Sequence, residues 1–168
     1  MNNLALNNFI RFFGLILLQV FVLNQVNLFG FVNPMVYILW VVLYPIKKEQ
    51  GTFLLLSFLL GIFIDIFMNS GGINAAATLF IAFIRMPILK MILGKSDFDF
   101  VSFNLRAIAF NKAFFYISFL TFLHHFIIFG LEYFSFSEFT SIISKTLLTS
   151  IFTILISIIG ILLFSKKK

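Results

Sequence analysis

The chain contains no cysteine. Disulfides, thiolate nucleophiles and cysteine-ligated metals are therefore excluded. Charge is scarce as well. Asp, Glu, Lys and Arg make up 11% of the residues, 61% are hydrophobic, and mean hydropathy is +1.11. A soluble domain carries about 25% charged residues, so the composition is that of a polytopic membrane protein. Recognisable catalytic signatures are missing too. There is no HExxH, no GxSxG, no phosphate loop and no pair of carboxylates at usable spacing. The connectors between apolar runs are too short to build a catalytic pocket. The expectation is a protein that is not an enzyme and needs no cofactor and no metal.

What is present is a series of long apolar runs. A bilayer core of ~30 Å takes about 20 helical residues, so 168 residues hold six such spans and no soluble domain beside them. They are expected at about 8–23, 28–46, 51–68, 72–93, 113–133 and 139–164, forming one all-α transmembrane domain. The first run imitates a signal peptide. It is followed by Asn24, Gln25 and Asn27 rather than by a small-residue cleavage site, so it reads as an uncleaved span. Pro34 suits a helix start, and Pro87 is expected to kink the fourth span or to end its regular part. The connector 94–112 mixes charges with Phe and Leu and reads as an interfacial amphipathic segment.

The formal net charge is +6. Its distribution explains it without nucleic acid. Arg11, Lys47, Lys48, Lys90, Lys95, Arg106, Lys112 and the last three lysines all fall on one side if the N-terminus is inside. The outer loops, about 24–33, 69–71 and 134–137, hold no Lys or Arg. Both termini are therefore expected in the cytoplasm.

Asp65 is the only charge in its span, and a carboxylate at that depth costs about 2.5–3.5 kcal/mol on insertion scales. It lies about 21 Å from the inner boundary. Lys145, the one base that breaks the inner-side pattern, lies about 9 Å from the outer boundary. The two depths coincide, so an Asp65–Lys145 ion pair is expected, with Glu138 as another partner for Lys145. Such a pair would hold helices in register, support a docking surface, or serve a substrate or proton. Asn74 would join them in lining a small outer pocket. Arg85 is expected to snorkel to the inner headgroups or to cap carbonyls freed by Pro87. His124 and His125 point to different faces of one helix, which favours interhelical hydrogen bonds over a metal site or proton relay. Gly71 and Gly72 suit a tight turn, and Gly61 and Ala75 suit close helix approach.

These residues resemble a known family. The run Gly61-Ile-Phe-Ile-Asp65-Ile-Phe-Met-Asn-Ser-Gly71-Gly72-Ile-Asn74-Ala75-Ala-Ala is similar to the G-x-x-x-D and Gly-rich turn of the rod shape-determining protein MreD family. Gln19, Asn24, Gly30, Asn33, Pro34 and Tyr37 resemble its first outer loop and second span, and the likeness covers nearly the whole chain. The resemblance implies a noncatalytic scaffold in the bacterial inner membrane. Its partners would be an MreC-like bitopic protein, MreB-like filaments, RodA and a class B penicillin-binding protein, with membrane lipids around it. It also implies a fold like the substrate-binding subunits of energy-coupling-factor transporters. A small-molecule-binding subunit of that kind is the alternative function. On that resemblance the partner-binding or structural residues are Gly61, Asp65, Gly71, Gly72, Asn74, Ala75 and Lys145.

Overall fold

The computed structural model describes residues 2–28, 30, 32–46, 50–94 and 108–163. Among the described residues six α-helices follow one another: α1 (Asn2–Phe21), α2 (Ile38–Leu43), α3 (Gly51–Met68), α4 (Ile73–Leu93), α5 (Phe110–Tyr133) and α6 (Phe139–Leu163). All but α2 are long and apolar enough to cross a membrane. The expected bounds of the last four spans agree with α3 to α6 to within a few residues. The first helix starts at Asn2 rather than near Asn8. The expected amphipathic connector lies largely outside the described residues, as do Lys47, Lys48, Lys95, Arg106 and the C-terminal lysines.

Pro87 does not end α4, which continues to Leu93. The proline sits on the exposed side of the helix, beside exposed Phe83, the residue whose carbonyl loses its i+4 donor. That side presents no packed neighbour for the ring to displace.

The second span is the main departure. A helix over 28–46 was expected, and only six residues, Ile38–Leu43, are α-helical. Before them the chain makes a tight loop closed by an antiparallel bridge between Leu28 and Val32. It then runs without regular structure through Pro34 and Met35. This segment is nevertheless the centre of the molecule, since Val32, Val36, Tyr37, Ile38, Trp40, Val41 and Val42 are all buried. It descends between two long helices. Val36 N–H and Pro34 O are held by Gln19 near the end of α1, whereas Trp40 Nε1 donates to Asn8 O near its start. Along α4, Tyr37 meets Asn74 and the 41–45 carbonyls meet Arg85. Each helix pair of contacts is eleven residues apart, about 16 Å of helix.

Around this segment α3 packs on α4 and α1, α4 on α5, and α5 on α6. One hydrophobic core joins Phe12, Trp40, Leu60, Ile64, Ile81, Leu89 and Leu120. The outward faces carry Phe9, Phe13, Phe21, Phe63, Phe67, Phe83, Phe114 and Ile151, all exposed. Apolar outside and polar inside is the order that a lipid solvent selects.

Candidate functional site

Asp65 sits one turn from the end of α3. Asn69 follows in the left-handed conformation at φ 54°, then Gly71 at 64° and Gly72 at 96°. Three left-handed residues in four turn the chain back within a few ångströms, and two glycines make that inexpensive. The turn brings the first N–H groups of α4 onto the Asp65 carboxylate. Oδ1 accepts from Asn74 N (3.0 Å), Asn74 Nδ2 (3.0 Å) and Ser70 Oγ (2.5 Å), and Oδ2 accepts from Ala75 N (2.8 Å). Helix N-termini leave such donors free and carry partial positive charge. The lone acid of α3 is thus the N-terminal cap of α4.

Gly61 makes this approach possible. A Cβ there would collide with Ala75 Cα and lie 2.6 Å from Ala75 N and 2.7 Å from Asn74 O, all backbone atoms. Gly61 and Ala75 therefore touch each other, in the close approach expected of them.

From Asn74 a hydrogen-bonded chain runs into the core. Asn74 Nδ2 also donates to Ser70 Oγ (2.8 Å), which fixes the amide orientation. Its Oδ1 must then accept from Tyr37 Oη at 2.6 Å. The phenol has one proton, so at 3.2 Å it accepts from His124 Nε2–H. Thr78 Oγ1, whose own proton goes to Asn74 O, accepts a second branch from the same nitrogen at 3.5 Å. His124 is accordingly the Nε2–H tautomer, with a bare acceptor at Nδ1. Every donor in the series points toward Asp65. The Asn74 amide cannot pass a proton on, so the series orients side chains and does not conduct.

His125 faces the other way. Its Nδ1 is 2.6 Å from Thr121 O, so Nδ1 carries the proton and Nε2 accepts from Thr153 Oγ1 at 3.2 Å. Thr153 in turn accepts from Met35 N at 3.0 Å. Gln19 Nε2 donates to Pro34 O (3.0 Å) and Asn24 Oδ1 (2.9 Å), while Oε1 accepts from Val36 N (2.9 Å). The unwound backbone before α2 is thus served by side chains of α1 and α6.

Arg85 provides the opposite charge to Asp65 in the opposite role. Nη1 donates to Val41 O (2.6 Å) and Tyr44 O (3.0 Å), and Nη2 to Pro45 O (3.4 Å). Its guanidinium lies 3.7 Å from the centre of the Phe53 ring. It caps the C-terminal end of α2. Snorkelling is not what it does, and the carbonyls it caps belong to α2 rather than to the turn before Pro87.

The site residues expected from sequence divide accordingly. Gly61, Asp65, Gly71, Gly72, Asn74 and Ala75 form one unit at the α3–α4 turn. Lys145 does not join them, and the expected ion pair with Asp65 is corrected. Lys145 Nζ sits 4.8 Å from the Tyr133 ring centre, and Glu138 bonds to Ser141 instead. Matching depths fix height only. α6 packs against α5, while the neighbours of α3 are α4 and α1. The small outer pocket lined by Asp65, Asn74 and Lys145 is not formed by that set.

Nothing in the sequence marks Tyr37, Gln19, Thr78 or Thr153 as hydrogen-bond partners of other elements. Spacing does carry a signal for Ser70, since it lies five residues after the acid in a Gly-rich turn. Among the described residues no group of three or more His, Asp or Glu is placed to hold a metal ion. Comparison with known proteins gives no match to any protein-family model, curated sequence or solved structure.

Proposed function

We propose that this protein is a noncatalytic scaffold of the bacterial cell-elongation machinery, embedded in the inner membrane with both termini in the cytoplasm. One observation carries the noncatalytic part. The Asp65 carboxylate, the residue best suited to intramembrane chemistry, spends both oxygens on capping α4. Arg85 is spent in the same way on α2. The likeness of the 61–77 run and of the second span to the MreD family supports the elongation role. The descent of the 34–45 segment along α1 and α4 supports a sixth crossing, and on this reading both ends of the chain face the inner side.

The partners on this reading are an MreC-like bitopic protein, then MreB-like filaments, RodA and a class B penicillin-binding protein. The docking surface is the outer turn at Gly71 and Gly72 with the adjoining faces of α3 and α4, which Gly61, Asp65, Asn74 and Ala75 hold rigid. Inner-side bases contact filaments or anionic lipid. A second reading, a small-molecule-binding subunit of an energy-coupling-factor-type transporter, is favoured by the unwound chain before α2, a feature that transporters place at binding sites. Affinity purification in mild detergent followed by mass spectrometry separates the two. Recovery of an MreC-like protein supports the scaffold. Recovery of ATP-binding subunits without any cell-wall protein would sink it in favour of the second.

A further inference from the structure

Apart from the bonded chain around Tyr37, a second set of buried polar atoms makes no hydrogen bond within the protein. Seven of them lie on two neighbouring helices. Ser118 Oγ, Thr121 Oγ1 and His124 Nδ1 are on α5, and Thr146 Oγ1, Thr149 Oγ1, Ser150 Oγ and Ser157 Oγ are on α6. Among the described residues the one other such atom is Arg85 Nε. The α6 positions, with bonded Thr153 among them, recur at the three- and four-residue spacing of a single helix face. That face is buried, while Leu147, Ile151, Leu155 and Ile159 on the other side are exposed. In a lipid solvent this is a polar row turned inward.

These hydroxyls have an easy local outlet that they do not take. Ser57, Thr78 and Ser144 each donate to the carbonyl four residues back. The orphaned hydroxyls of α6 do not, although a buried polar group without a partner is costly. His124 supplies an independent pointer. Its Nε2 edge is held by Tyr37 and Thr78, so its bare Nδ1 acceptor is on the ring edge turned away from them, and the side chain has no exposed surface. Thr121 lies one turn earlier on the same helix. The His125–Thr153 bond sets the level of the imidazole pair within the α6 row.

The unfilled needs are those of a small neutral molecule that both donates and accepts. None of the orphaned side chains of α5 and α6 is ionic, so an ion has no counter-charge there. We propose that α5 and α6 enclose a hydrated seam, in which internal water bridges the hydroxyls of Thr121, Thr146, Thr149, Ser150 and Ser157 and donates to His124 Nδ1. The row from Thr146 to Ser157 covers about 16 Å of helix, roughly half of the ~30 Å core. It ends at an asparagine-blocked chain, so the seam is a hydration site and not a proton path. Nothing in it depends on the scaffold reading.

The test uses the full chain, isotopically labelled, in phospholipid bilayers. Water-edited solid-state NMR measures how fast polarisation passes from water protons to each residue. Thr149, Ser157 and His124 Nδ1 should build up several-fold faster than lipid-facing Ile151 and Leu155. Thr149→Val should slow the build-up at His124, whereas Ile151→Val should leave it unchanged. Transfer at Thr149, Ser157 and His124 no faster than at Ile151 and Leu155 overturns the proposal, whatever the variants do.

Discussion

Asp65 shows how one residue is made tolerable in an apolar medium. Its charge meets the positive end of a helix and four donors, with no need of a basic side chain. Charge reversal at both Asp65 and Lys145 should therefore leave the protein no more stable than Asp65→Lys alone. Thermal melting in detergent checks this, and rescue by the double variant would restore the ion pair. Asp65→Ala orphans the Asn74 and Ala75 N–H groups and should cost about 2–6 kcal/mol, at roughly 1–3 kcal/mol per unsatisfied buried group. Gly61→Ala forces a methyl against backbone that cannot yield. It should destabilise by about 1–3 kcal/mol or more, read as a lowered melting temperature in detergent. The importance of Asp65 was legible because it is alone in an apolar run. Its partner was not, because residue spacing gives depth along a helix and says nothing of which helix stands beside it. The left-handed turn decided that, by folding residues five to ten positions later back onto the acid.

At the scale of the element, α2 is the part that hydropathy misjudged. An apolar run of 28–46 scores alike whether it is coiled or extended, and Pro34 suits a helix start although α2 begins only at Ile38. What keeps the run unwound is tertiary. Gln19 and Thr153 accept from backbone N–H groups that a helix would have satisfied internally. Gln19→Leu orphans Val36 N–H and Pro34 O and should destabilise by about 2–6 kcal/mol on the same per-group cost, with loss of protection at the Val36 amide in hydrogen exchange. Arg85→Lys should cost about 1–3 kcal/mol, because one ammonium cannot serve three carbonyls and lie flat on Phe53. Melting of the Lys variant at the wild-type temperature would show that the fork is not needed. The four long helices α3 to α6 were legible to within a few residues, since an apolar run near twenty residues has few other forms in a membrane.

For the whole molecule the decisive question is how many times the chain crosses. Its freedom from cysteine makes every introduced thiol unique. A membrane-impermeant maleimide should label Gln25→Cys and Ser137→Cys in intact cells, and Gln50→Cys only after the membrane is opened. Equal labelling of Gln25→Cys and Gln50→Cys would make the segment between them a re-entrant loop. It would also move the two termini to opposite sides. The membrane class was legible from composition alone, whereas the internal hydrogen bonds were not, because their members are scattered over α1, α4, α5, α6 and the segment before α2. Only the stacking order of helices brings Asn74 and His124 to Tyr37, Gln19 to Val36, and Thr153 to His125.

The unwound stretch before α2 also constrains the order of synthesis. Met35 depends on Thr153, which emerges from the ribosome 118 residues later. Until then its amide has no partner from the chain, and lipid offers none. The second segment must therefore wait at the translocon, at the aqueous boundary, or as a provisional helix until α6 arrives. A nascent chain stopped before α6 should hold the connection between α1 and α2 in a protease-sensitive state that the completed protein does not share. The last helix acts as the latch on the second.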